Sequence, residues 1–305
     1  MDSALLIAAT LNSGTVLALA GLGLLINERA GVLNLGAEGT LLMAALAGFV
    51  TTLHTGSTTL GLLAGAGAGV GMALLLGVLI IYLQANSYAT GLALSLLGGG
   101  LSAFLGVDYV QAKLPAATVW FWPGLSDIPW IGPALLRQHP MVYLTMALTA
   151  FLAYGLQRQR WGLVLRAVGE SPASAHALGY PVRAIRLGAT LAGGALCGLA
   201  GAYLSLVYTP LWVEGMVAGK GWIALALTTF ATWRPVRVLV GAWLFGGVTM
   251  LQFYWQGQGL NLSPALLSML PYLVTIVVLV LISSDAQWIR RNMPASLGQP
   301  FRPGH

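Results

Sequence analysis

The chain has 305 residues, of which 57% are hydrophobic and only 7% charged. A soluble domain carries about 25% charged residues, so this chain cannot clothe itself in water and must face lipid over most of its surface. Fourteen basic against eight acidic residues give a net charge of +6, an excess that in a lipid-facing chain records orientation in the bilayer rather than nucleic-acid binding.

A helix needs about 20 apolar residues to cross a hydrocarbon core of roughly 30 Å. Nine segments qualify in chain order: about 4–26, 36–54, 59–83, 87–106, 140–157, 187–210, 217–233, 236–256 and 265–284. The expected fold is all-α, a single polytopic membrane domain over 1–305 with about nine transmembrane helices (8–10). Segments 36–54 and 217–233 are the ones most open to being broken or re-entrant. Forty glycines suit helices that meet by close backbone approach in lipid. The single cysteine, Cys197, excludes an internal disulfide and a multi-Cys metal site. No basic stretch precedes Ala4 and the first apolar run is long enough to span, so a cleavable leader is not expected.

Between the first two spans lies "NERAGVLNLGAEG", with Glu28, Arg29, Asn34 and Glu38. An ionised group in the bilayer costs about 2.5–3.5 kcal/mol on insertion scales, so the cluster reads as a cytoplasmic turn with Glu38 dipping toward a protein-lined interior. Glu38 in the first turn of a helix meets the positive end of its dipole, and Glu28 and Arg29 can pair with each other or across to a neighbouring helix. The cluster either fixes topology and packs the turn or lines an inner gate. Within spans, Asn12, Gln84, Asn86, Tyr88, Ser95 and Gln252 can hydrogen-bond a neutral hydroxylated solute or simply a neighbouring helix. No span carries the chain of Asp and Glu that a proton relay needs.

The segment 107–139 is an external loop rich in aromatics and prolines. Its Trp120, Phe121, Trp122 and Trp130 suit an interfacial belt, or a lid or partner contact. The longest charged stretch, 158–186, is "RQRWGLVLRAVGESPASAHALGYPVRAIR". Within it Ser171 caps a short helix, Pro172 takes the first helical position, Gly179 closes the helix in the left-handed conformation and Pro181 prevents continuation. Its exposed side, Ala173, Ser174 and Ala177, is small enough to seat in a groove of another protein; the plainer reading is a connector. With a cytoplasmic C-terminus and nine spans, eleven of the fourteen basic residues fall inside, and only Lys113, Arg137 and Lys220 fall outside. The N-terminus is then outside.

"GMVAGKG", Gly215 to Gly221, is not a phosphate loop. Only three residues separate its first Gly from Gly-Lys, where four are needed, and no Ser or Thr follows. The scattered His54, His139, His176 and His305, without HExxH or GxSxG, offer no catalytic constellation and no metal site.

"RAVGESPASAHALGYPV" resembles the cytoplasmic coupling loop of ATP-binding cassette (ABC) importer permeases. "INERAGVLNLGAEGTLLMAA", 26–45, is similar to the N-terminal signature of the nucleoside branch, whose permeases work with a basic membrane lipoprotein. "GKGWIALALTTFATWRP", 219–235, resembles the family's later Gly-x-Gly-aromatic-Ile-Ala segment. The three blocks lie in order and span most of the chain, which departs from the usual pattern at Lys220 and at Ser171. The resemblance implies the ABC importer permease fold in a bacterial plasma (inner) membrane, and a subunit that is not itself an enzyme. It implies no cofactor in this chain, with ATP held by a partner ATPase. Further implied partners are a second, non-identical permease and an external substrate-binding lipoprotein in the lipid bilayer, without nucleic acid. Coupling to the ATPase would fall to Arg166, Gly169, Glu170, Ser171, Pro172, Ala175 and Gly179. The translocation path or gate would involve Glu28, Asn34, Glu38 and Asn86. Nucleosides are the expected solute. Simple sugars or branched-chain amino acids are the alternatives within the architecture, and an ion-coupled secondary transporter is the alternative from another class.

Overall fold

The computed structural model of the chain describes residues 3–115, 117, 119, 132–257, 266, 269–283 and 292–302. Trp120, Phe121, Trp122 and Trp130 of the expected belt lie outside the described residues, as do Arg290, Arg291 and His305. The elements are α1 (Ser3–Arg29), α2 (Ala37–Thr55), α3 (Thr58–Gly77), α4 (Ser87–Gly106), α5 (Pro140–Arg158), α6 (Arg160–Glu170), α7 (Pro172–Ala177), α8 (Val182–Tyr203), α9 (Lys220–Phe230), α10 (Pro235–Gly257) and α11 (Leu270–Ser283). A π-helical turn extends α3 over Val78–Tyr82, and another extends α8 over Leu204–Tyr208.

Seven of these helices are long and apolar enough to cross a bilayer: α1, α2, α5, α10, α3 and α8 with their π-helical extensions, and α4 with the 3-10 turn Val107–Tyr109 that follows it. The expected count of nine is not reached on length among the described residues. The segment expected at 217–233 is α9, 11 residues long, or about 16 Å, half a membrane. Of the segment expected at 265–284, the helix α11 covers 14 residues.

Helix α1 is the central post, buried almost without break from Ser13 to Glu28 against α8, α9 and α10. Glycines set the closest crossings. Gly61, Gly65 and Gly69 of α3 repeat every fourth residue, so they share one helix face. A Cβ at Gly65 or Gly69 would run into α8 at Ala202, Gly198 or Gly194. Gly39 of α2 meets Gly98 of α4 in the same way, and Gly23 of α1 meets Gly193 of α8. This is backbone-to-backbone packing of the kind lipid favours. The outward faces are apolar: Leu96 and Phe104 of α4 are each 78% exposed, a surface suited to acyl chains.

The approach to α9 is not helical. Leu114 N–H donates to Pro210 O at 3.1 Å beside a backbone bridge between Lys113 and Leu211, and Trp212 is fully buried beneath Gly106. The chain then turns back through left-handed Gly215, Ala218 and Gly219. The stretch 209–233 is therefore extended and turned in its first half and helical in its second.

Candidate functional site

The end of α1 with Arg29, helix α6 with Arg166 and the start of α8 with Arg186 come together at one end of the bundle, where Gly169 lies on Arg29 O and Gly31 beside Arg186. Helix α6 folds back on α5, Gly162 lying against Gly155 and Trp161 stacking on Phe151 with ring centroids 5.9 Å apart. The capped helix forms as its sequence signals require. The Ser171 hydroxyl accepts from Ser174 N–H at 3.3 Å, Pro172 occupies the first turn, and Gly179 has φ +86°. Ala175 is its one buried side chain, packed with Val168 and Val182. Ala173, Ser174, His176 and Ala177 are exposed, and so is Leu178, at 78%. The knob is thus small along its helix and bears one large apolar tip, which the helix signals did not mark.

A strap formed by 292–302 ties this knob to the rest of the bundle. Ser296 N–H and Oγ–H both donate to Gly169 O, at 3.0 and 2.6 Å, and Ala295 N–H reaches the Glu170 carboxylate at 3.4 Å. Arg186 donates to Ser296 Oγ at 2.9 Å and to Gln299 O at 3.0 Å. Gly298 N–H donates to Gly31 O at 3.0 Å, and Phe301 packs edge-on to His176. At its far end Arg302 donates to Gln84 Oε1 at 3.0 Å. The strap therefore touches the loop after α1, the end of α3, the end of α6, α7 and the start of α8. Nothing in its composition announced it.

The cluster at 27–39 is built around α9. The Glu38 carboxylate accepts from Gly219 N–H and Gly221 N–H, both at 2.8 Å, so it caps the positive end of α9 as well as standing in the first turn of its own helix α2. Neighbouring Gly39 lies against the middle of α4, which puts this cap inside the bundle. At the other end of α9, the fully buried Glu28 accepts from the indole N–H of Trp233 and, at 3.3 Å, from Thr228 Oγ–H. Arg29 donates to Trp233 O at 2.9 Å and to Asn292 O at 3.4 Å. Trp233 has φ +54° and Thr232 φ +49°, left-handed positions that non-glycine residues occupy only where surroundings enforce them.

Of the four residues expected near a path or gate, Glu28 and Glu38 thus hold opposite ends of the same short helix. Asn34 is buried; its Oδ1 accepts from Gly36 N–H at 2.9 Å while its Nδ2 has no partner among the described residues. Asn86 stands apart, an exposed N-cap of α4 accepting from Tyr88 and Ala89 N–H. Of the coupling set, Gly169 packs on Arg29 O, and Arg166 has a buried Nε without a partner among the described residues.

Residues 6–279 match the family described as branched-chain amino acid transport system, permease component. The chain is 40% identical, over 97% of both chains, to a Haloferax volcanii protein named "Putative glucose ABC transporter permease protein TsgC13". It is 34% identical to "Nucleoside ABC transporter permease protein NupC" of Lactococcus lactis, over 92% of this chain and 93% of that one. It is 28% identical to "Guanosine ABC transporter permease protein NupQ" of Bacillus subtilis, over 98% and 97% respectively. No solved structure matches the chain.

Proposed function

The chain belongs to the branched-chain amino acid transport system permease family, the membrane-spanning subunits of ABC transporters, and from that premise we propose that it imports an uncharged hydroxylated solute, nucleosides first. The observation that carries the reading is α7: a capped knob with a small outer face, standing free of the bundle yet bonded into it through Gly169, Glu170 and Ala175.

The family implies an ATPase partner and a substrate-binding protein. In our reading the basic end is cytoplasmic, by the excess of Arg there, and with it the C-terminal strap. ATP is hydrolysed on the separate subunit, which grips α7. Arg166, Gly169, Glu170, Ser171, Pro172, Ala175 and Gly179 shape and seat that knob. Its displacement reaches Glu28, Arg29 and Asn34 through the loop after α1, and α9 with Glu38 moves with them. A second, non-identical permease completes the path and a lipoprotein delivers solute from outside. The relatives named for nucleoside and guanosine transport support the first choice of solute. A simple sugar is the second reading, favoured by the relative at 40% identity.

Uptake of labelled guanosine, uridine and glucose in a strain deleted for the chain tests this. Complementation should restore uptake of a nucleoside, and uptake should stop on ATP depletion. Restored uptake of glucose alone would replace the first solute by the second. Uptake that survives ATP depletion and collapses with the ion gradient would overturn the ABC mechanism.

A further inference from the structure

At the end of the bundle opposite α7 lies a cavity of about 360 Å³, within the range of roughly 300–1,000 Å³ of small-molecule sites. Its polar lining is Asn12 of α1, His139 at the start of α5 and Tyr208 at the end of the α8 extension; Ala9, Val207 and Met250 are among its apolar walls. No lining residue among the described ones is charged.

His139 is 7% exposed. Its Nδ1 accepts from Met141 N–H at 3.2 Å and so caps α5. A nitrogen that accepts carries no hydrogen, so in the neutral ring the hydrogen sits on Nε2. That N–H has no partner among the described residues. Burial lowers the imidazole pKa, which keeps the ring neutral. Asn12 is held rigid: its Nδ2 donates to Gln138 Oε1 at 2.7 Å and to Ala8 O at 3.0 Å, and its Oδ1 accepts from Tyr203 O–H at 2.6 Å. Both amide hydrogens are thereby used, and one lone pair of Oδ1 is left. Tyr208 O–H reaches Ser13 Oγ only at 3.5 Å, and its oxygen lone pairs remain available. The cavity therefore offers one fixed N–H donor, two oxygen acceptors, apolar walls and no formal charge.

We propose that this cavity is a solute-binding station of the permease, in which His139 Nε2–H donates to a solute oxygen or ring nitrogen while Asn12 Oδ1 and Tyr208 Oη accept from solute hydroxyls. The inference rests on the import reading above. It also narrows the solute, because a zwitterionic amino acid would bring two charges into a lining that neutralises neither. A neutral solute with several hydroxyls, such as a nucleoside or a hexose, fits.

The test uses the complete transporter in proteoliposomes, with tritiated uridine, glucose and leucine as probes at saturating concentration, where delivery is not limiting. His139→Ser keeps an oxygen that caps α5 but removes the imidazole N–H. Ala9→Phe fills the cavity. Each should lower the initial rate for the preferred neutral probe about five- to tenfold, with thermal unfolding of each variant showing that it remains folded at the assay temperature. Should the wild type import uridine or glucose and both variants match its rate, the cavity assignment falls while the import reading stands. Import of leucine alone by the wild type would overturn both.

Discussion

The carboxylate of Glu38 accepts two backbone N–H groups of a helix that begins some way inside the bundle, and that of Glu28 accepts the indole N–H of Trp233 where the same helix ends. Neither acid has another route to its partners, so substitution leaves buried donors unmet. Glu38→Ala should destabilise the detergent-solubilised protein by about 1–3 kcal/mol. Glu38→Gln, which keeps an acceptor, should lose less; equal losses in thermal unfolding would show that the cap is not what Glu38 supplies. Trp233→Phe leaves the buried Glu28 carboxylate with only the longer Thr228 contact and should cost about 2 kcal/mol. In a Glu28→Gln background the same change should cost markedly less, as a double-mutant cycle reads directly. The presence of charges between the first two spans was legible in the sequence, and so was their place at the end of a span. Their partners were not, because Glu38 and Gly219 are joined only by the fold, and no local spacing encodes such a bond.

At the scale of elements, the strap and α7 form one fastened assembly. Ser296 alone links Gly169 to Arg186. Truncation before Asn292 should leave a membrane-inserted chain whose ATP-driven uptake falls about tenfold, the size expected when a coupling network is cut. Uptake at the wild-type rate would show the strap to be passive. Gly179→Val forces a β-branched side chain into φ +86°, and with Glu170→Ala it should abolish uptake while insertion persists. Persistence of uptake in that pair would remove α7 as the transmitting element. Ser171, Pro172, Gly179 and Pro181 announced α7 because capping is a local matter of hydrogen bonds and φ. The strap carries no such punctuation: its order comes from backbone and side-chain contacts with five distant elements. The half-length of α9 was hidden for a related reason. The expected span 217–233 is apolar to both ends, but left-handed Ala218 and Gly219 delay the helix and left-handed Thr232 and Trp233 follow its end, and hydropathy alone does not register such turns.

For the molecule as a whole, composition dictated a lipid-facing body, since 7% charge cannot solvate a surface of this size, and apolar runs of about 20 residues made that body helical. The three blocks at 26–45, 166–182 and 219–235 carried the family resemblance. The proposed solute station was legible only in Asn12, because His139 and Tyr208 reach the same cavity from separate helices. Sidedness is open to direct measurement. Cys197 is fully buried, so in a Cys197→Ala chain Ser174→Cys should react with an impermeant maleimide only from the cytoplasm. Thr55→Cys, at the turn between α2 and α3, should react only from outside, and the opposite pattern would invert the topology. The fastening of α9 at both ends also has a bearing on inheritance and on engineering. Residues 26–45 and 219–235, so far apart along the chain, are a single part in space. A graft of either block alone into a cousin would import an acid whose donors were left behind, or donors robbed of their acid. Workable hybrids must exchange both blocks at once, and variation within one is expected to be answered in the other.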